Sequence, residues 1–86
     1  MPYIKQVDRE EFNDALTHIG NNIENVGELN YCITVLLKHY LFLHGKSYKT
    51  LNECLGVLVA AKLEFYRRDV AEYEDIKIKE NGDIKL

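Results

Sequence analysis

Apolar residues recur along this chain at helical spacing. Phe12, Ala15, Leu16, Ile19 and Ile23 fall three and four positions apart, with Val26 continuing the series. Asp8 followed by Glu11 reads as a variant capping box, so a first helix is predicted over about residues 8–24. Gly20-Asn21-Asn22 weakens its last turn. The seven residues MPYIKQV ahead of it are partly β-prone and predicted to be extended. Gly27 then separates off GELNYCITVLLKHYLFLHG, predicted to be helical over about 28–44. Glu28 suits the positive end of that helix, His44 the negative end, and Gly45 the closing position. Thr50-x-x-Glu53 is a full capping box for a third helix, which runs without a breaker over about 51–73.

The tail, EDIKIKENGDIKL, has two readings. Asn81-Gly82 suits a hairpin turn, and a three-residue loop would align Ile76, Ile78, Ile84 and Leu86 on one face. Alternatively the helix continues to about residue 80, Gly82 caps it and Ile84 folds back. Glu, Asp and Lys are poor strand formers, which favours the helix.

At about 100° per residue, the third helix carries a stripe of Leu51, Cys54, Leu55, Leu58, Phe65, Tyr66, Tyr73 and Ile76. Its middle, Cys54 to Leu63, is apolar on almost every side. The second helix is similar: Leu29, Cys32, Ile33, Leu36, Tyr40 and Leu43 make one face, while Tyr31, Val35, Leu37, Leu41 and Phe42 spread elsewhere. A helix that is hydrophobic all round must be buried all round. Three helices cannot cover two such segments, whereas a second copy of the chain can. A homodimer or higher oligomer is therefore expected, with Leu37, Leu41, Gly56, Val57 and Ala60 at the interface. Burial under the N-terminal arm and the tail is the competing explanation.

At 86 residues and 10.0 kDa the chain is expected to be one helical domain, and 47% hydrophobic residues make it too apolar for a disordered one. The net charge of −3 argues against a nucleic-acid binder or a polybasic membrane binder. Cys32 and Cys54 lie inside apolar stretches and read as core thiols, not as a disulfide framework. With no signal peptide and no run of about 18 apolar residues, a cytoplasmic protein is expected.

Candidate chemistry is sparse. Lys62 and Asp69 fall near the centre of the third helix's apolar stripe, where a buried ammonium would need a carboxylate such as Glu28. The alternative is a Lys62 that snorkels to water. Glu64, Arg67, Arg68, Glu74 and Asp75 cluster on the opposite face, either as a solvated, ion-paired surface or as a fork for phosphate. Glu72-x-x-Asp75 and Glu11-x-x-Asp14 have the spacing of weak Mg²⁺ sites, but the dense carboxylate set of a helical pyrophosphatase is missing. No metal and no cofactor are expected. His18, His39 and His44 form no convincing ligand set.

GELNYCIT at 27–34, KLEFYRRDVAEYEDIKIKENGDI at 62–84 and the opening MPYIKQ carry a resemblance covering most of the chain. They resemble a family of short proteins found in tailed phages and bacterial genomes, often as domains of unknown function. The resemblance implies a phage or prophage accessory protein and supplies no activity. It marks Glu28, Asn30, Tyr31, Lys62, Glu64, Tyr66, Arg67, Arg68, Tyr73, Glu74 and Asp75 as characteristic positions. Relatives in that family have Pro where this chain has Glu72.

The sequence thus predicts an all-α, three-helix bundle-like domain with short extended termini, oligomerising through its second and third helices. The expected function is a non-enzymatic interaction module whose partners are itself and a further protein. The alternative is a small helical nucleotide binder or Mg²⁺-dependent hydrolase, with Lys62, Arg67 and Arg68 on phosphate and Glu72 and Asp75 on the metal.

Overall fold

The computed structural model describes residues 4–85. The fold is all-α as expected, and no strand occurs among the described residues. A 3₁₀ turn, Gln6–Asp8, precedes α1 (Glu10–Asn22) and α2 (Val26–His44). Then come α3 (Tyr48–Phe65), a π-helical turn (Tyr66–Val70) and α4 (Ala71–Asn81). The chain divides into two compact units, Met1–Cys54 and Leu55–Leu86. No helix among the described residues is long and apolar enough to cross a membrane.

In the first unit each helix boundary has a local polar cause. Residues 6–8 curl into the 3₁₀ turn instead of extending, with Asp8 N–H donating to Lys5 O at 2.9 Å. Met1, Pro2 and Tyr3, also expected to be extended, lie outside the described residues. Asp8 is consequently part of that turn and not a cap; α1 starts at Glu10 after Arg9, with no side-chain cap bond. At the far end of α1, the Asn22 amide donates to His18 O at 2.8 Å and satisfies one of the helix's last carbonyls. Helix α2 begins two residues before the position expected from Gly27. Asn25 is its N-cap: Glu28 N–H donates to Asn25 Oδ1 at 2.9 Å, and Glu28 Oε1 accepts from Glu24 N–H at 2.7 Å. These two bonds satisfy the amides of Glu28 and Glu24 and draw Gly27 into the first turn.

Gly45 ends α2 at φ 85°, ψ 136°, a conformation that only glycine adopts without strain. The chain reverses over Lys46 and Ser47, and the capping box lies three residues earlier than Thr50-x-x-Glu53. Ser47 is the cap. Its carbonyl accepts from Leu51 N–H at 2.9 Å and its hydroxyl from Thr50 N–H at 3.2 Å, while Thr50 Oγ1 accepts from Ser47 N–H at 2.9 Å. Thr50 also donates to Gly45 O at 2.7 Å, so its buried hydroxyl fastens the reversal from both sides. Glu53, released from capping, accepts instead from the Tyr40 hydroxyl at 3.4 Å. Cys54 is buried, with its thiol 3.9 Å from Leu37 O. Cys32 is half-buried, and both thiols are free.

The second unit is one helical run from α3 through α4. The π turn joins them without a break, since the residues on either side keep right-handed helical dihedrals. The run passes the expected stop at 73 and ends at Gly82, with φ 87° and Gly82 N–H bonded to Ile78 O at 2.8 Å. The tail is therefore the helix and not the hairpin. Ile84 does not fold back: it is 83% exposed.

Apolar cover is scarce in both units. Cys54 is the buried hydrophobic residue of the described chain, while Leu37, Leu41, Ile23, Ala60, Val70 and Ala71 are half-buried. Phe42 is 82% exposed and Leu43 64% on α2; Leu55 and Leu63 are each 61% exposed on α3. The described apolar residues of the N-terminal arm are exposed too, Ile4 by 48% and Val7 by 76%.

Candidate functional site

Two grooves and one charge cluster gather the expected site residues. The first groove, about 560 Å³, lies in the first unit where α1 ends and α2 begins. His18, Ile23, Tyr31 and Cys32 line it together with Glu28. Glu28 is fixed there by its bonds to Glu24 and Asn25 at the start of α2. Tyr31, 69% exposed, stands over the groove. Asn30, on the same turn, is exposed and lines neither groove.

The charge cluster belongs to the second unit. Arg67 Nη2 bonds Glu64 Oε1 at 2.8 Å, and Arg68 Nε donates to the same oxygen. Glu64 itself is well covered, its side chain 15% exposed. The Arg68 bond, aided by Arg67, holds its carboxyl below the usual range against the opposing effect of desolvation. Both guanidiniums are thus turned onto a carboxylate of their own chain instead of being held apart for phosphate. Lys62 is exposed, so the buried ammonium that would have needed Glu28 or Asp69 does not arise; it snorkels.

The second groove, about 590 Å³, runs along the π turn and α4. Tyr66, Tyr73, Glu74, Asp75 and Ile78 line it. The Tyr66 hydroxyl donates to Glu74 Oε1 at 2.7 Å, and this bond, with the charges of Glu74 and Asp75, raises the phenol's pKa. Lys77 Nζ lies 5.4 Å from the centre of the Tyr73 ring and 3.0 Å from Glu80 Oε2. An uninterrupted α-helix would place Tyr66 in line with Tyr73, seven residues on. The π turn takes up one extra residue: Ala71 N–H bonds to Tyr66 O, five residues back. Tyr66 therefore aligns with Glu74 instead. No residue pattern in the sequence marks this phase change, and the Tyr66–Glu74 bond is the contact that helical spacing misses.

Among the described residues no three His, Cys, Asp or Glu side chains come together as a metal-binding group. Asp75 faces Tyr66, and the two carboxylates of Glu72-x-x-Asp75 gain no third ligand.

Among known protein families, the one described as "Domain of unknown function (DUF6899)" matches residues 1–84, which take in both grooves and the charge cluster. The chain belongs to that family. No curated protein and no solved structure matches it. The grooves of this DUF6899 chain offer phenol hydroxyls, carboxylates, the His18 imidazole, the Cys32 thiol and apolar walls.

Proposed function

We propose that this chain is a homo-oligomeric helical interaction module that folds as it associates, an accessory protein of phage or prophage type working in the cytoplasm. One observation carries the reading: α2 and α3 present apolar side chains on several sides, and almost none of them is buried within the protomer. Ordering each residue costs roughly 1–2 kcal/mol of backbone entropy. Burying a Leu- or Phe-sized side chain returns about 1.5–3 kcal/mol, but only where something covers it. The second unit is a single helical run, and helices without tertiary cover are marginal in water. A second copy supplies the missing cover. Leu37 and Leu41 on α2 are already half-buried, and Val57 and Ala60 on α3 flank Gly56, beside which an added methyl would meet no atom within 4 Å. Another helix can approach closely there. Glu64, Arg67, Arg68 and Asp75 would give the second unit's contacts their specificity, since charges at an interface select partner and register more than they add affinity. The phage assignment rests on the sequence resemblance.

Light scattering across a concentration series, with circular dichroism on the same samples, tests the reading. The expected mass is that of a dimer or larger assembly at micromolar concentration, with helicity falling as dilution dissociates it. A monomer at tens of micromolar that unfolds cooperatively overturns the proposal, as does a monomer stabilised by a nucleotide with Mg²⁺.

A further inference from the structure

Resting on that oligomer, we infer a further contact between copies, separate from the α2 and Gly56 surfaces and lying along the second unit: antiparallel, about a two-fold axis beside Ala71, with Arg67 of each chain opposite Asp75 of the other. The π turn makes the face. By taking up one extra residue it brings Leu63 and Tyr66, ahead of it, into line with Ala71, Glu74 and Ile78, behind it. The Tyr66–Glu74 hydrogen bond at 2.7 Å and the groove shared by Tyr66, Ala71, Glu74, Asp75 and Ile78 record this alignment. Ala71 is small and half-buried, while Leu63, Tyr66 and Ile78 are exposed around it, so the middle of the face admits close approach.

The charges on this face complement themselves about Ala71: Arg67 keeps its Glu64 bond through Nη2, and its 67% exposed side chain offers its other donors to a partner. Arg67 lies four residues before it and Asp75 four residues after it. Asp75 sits about 40° past the Ala71 line, and Arg67, one residue beyond the Tyr66 that completes the π turn, sits on the same side. A perpendicular two-fold turns the partner end for end but keeps each residue on its side. Each Arg67 then meets an Asp75 at the same height, and the contact occurs twice. Leu63 and Ile78, about two turns to either side of Ala71, meet in the same way and close the ends of the patch. A parallel pairing would instead set Arg67 against Arg67 and Asp75 against Asp75, which like-charge repulsion disfavours. A second copy therefore fits this face by charge, by size and by register.

Charge reversal tests the register. Arg67→Asp and Asp75→Arg are compared singly, combined in one chain, and as a mixture of the two single variants, by sedimentation equilibrium. Each single variant is expected to raise the dissociation constant about tenfold or more, because two symmetric attractions become two repulsions. The combined variant and the mixture are expected to recover wild-type association. Single variants that associate like the wild type, or a combined variant no better than its parents, overturn the register and leave the homo-oligomer standing. A monomeric wild type removes both. Cross-linking reads the same geometry without relying on charge. Two Ala71→Cys chains should be joined on oxidation through their introduced thiols, as peptide mapping will locate. Arg67→Cys should cross-link to Asp75→Cys in a mixture but not to itself. Self-linked Arg67→Cys chains overturn the antiparallel arrangement.

Discussion

From Asn25 to Cys54 the chain is pinned by side chains bonded to backbone; from Leu55 to Asn81 it is braced by side chains bonded to one another. In the first unit Asn25, Glu28, Ser47 and Thr50 each answer a backbone amide or carbonyl at a helix end. In the second, Glu64 holds two arginines, Tyr66 holds Glu74 and Lys77 holds Glu80, all along one helical run. The difference follows from where the chain turns. A reversal leaves orphaned backbone groups that must be satisfied on the spot, whereas a continuing helix leaves none and relies on neighbours three and four residues away. Among the described residues each unit also has a tyrosine–glutamate bond, and its length differs: 3.4 Å for Tyr40–Glu53 and 2.7 Å for Tyr66–Glu74.

Alanine substitution at the two left-handed glycines breaks the comparison most directly. Gly45→Ala strains the reversal between two helices and is expected to cost about 1–3 kcal/mol. Gly82→Ala imposes the same backbone conflict where only an exposed tail follows, so fraying relieves much of it. Chemical denaturation at matched protein concentration should rank them in that order; equal losses would mean that the tail is anchored. The polar fastenings come next. Thr50→Val is expected to destabilise by about 1–3 kcal/mol, because its partners at Ser47 and Gly45 lose their bonds. Asn25→Ala is expected to cost about 1 kcal/mol as a lost N-cap. Glu64→Gln in the second unit should move the same midpoint far less, since exposed arginine partners contribute little and salt screens them.

The smallest effects are in titration. Glu64's folded carboxyl is more acidic than its unfolded one, so its contribution is present at neutral pH and is lost as pH falls through that lowered value. Tyr40 and Tyr66 have raised pKa values, the first chiefly through the charge of Glu53 and the second chiefly through its bond to Glu74. Their contributions are present below the ordinary tyrosine value of about 10 and are lost as pH rises through the raised ones. Spectrophotometric titration should show two late phenols. Tyr40→Phe and Tyr66→Phe should each remove one of them, and an unchanged curve for either would dissolve that pairing.

The sequence makes the helices legible because their apolar spacing and closing glycines are local signals. Gly45 and Gly82 end helices where their position predicts it, and Cys54 is the core thiol its apolar stripe implies. The boundaries shifted where a polar side chain upstream of the expected start caps the helix first. Ser47 caps α3 ahead of Thr50, and Asn25 caps α2 ahead of Gly27, choices decided by side-chain geometry over three residues and not by residue type. Residues of the second unit came together in a partly different set from the expected one. Glu64, Arg67 and Arg68 are joined by helical spacing, which the sequence displays. Tyr66 and Glu74 are joined by a phase change between them, which it does not. Lys62 falls near the centre of the apolar stripe by spacing, yet it is exposed, because nothing among the described residues covers that part of the stripe and its long stem carries the charge to water.

The π turn also makes chain length, and not only residue identity, a control on recognition. One residue more than an α-helix needs acts as a vernier, setting the angular offset between everything before Tyr66 and everything after Val70. Removing that residue would leave nearly every other side chain on its own helix while rotating α4 by about 100° against α3. Two homologous chains differing by a single deletion there would share composition, helices and charge, yet present to each other faces that no longer mesh.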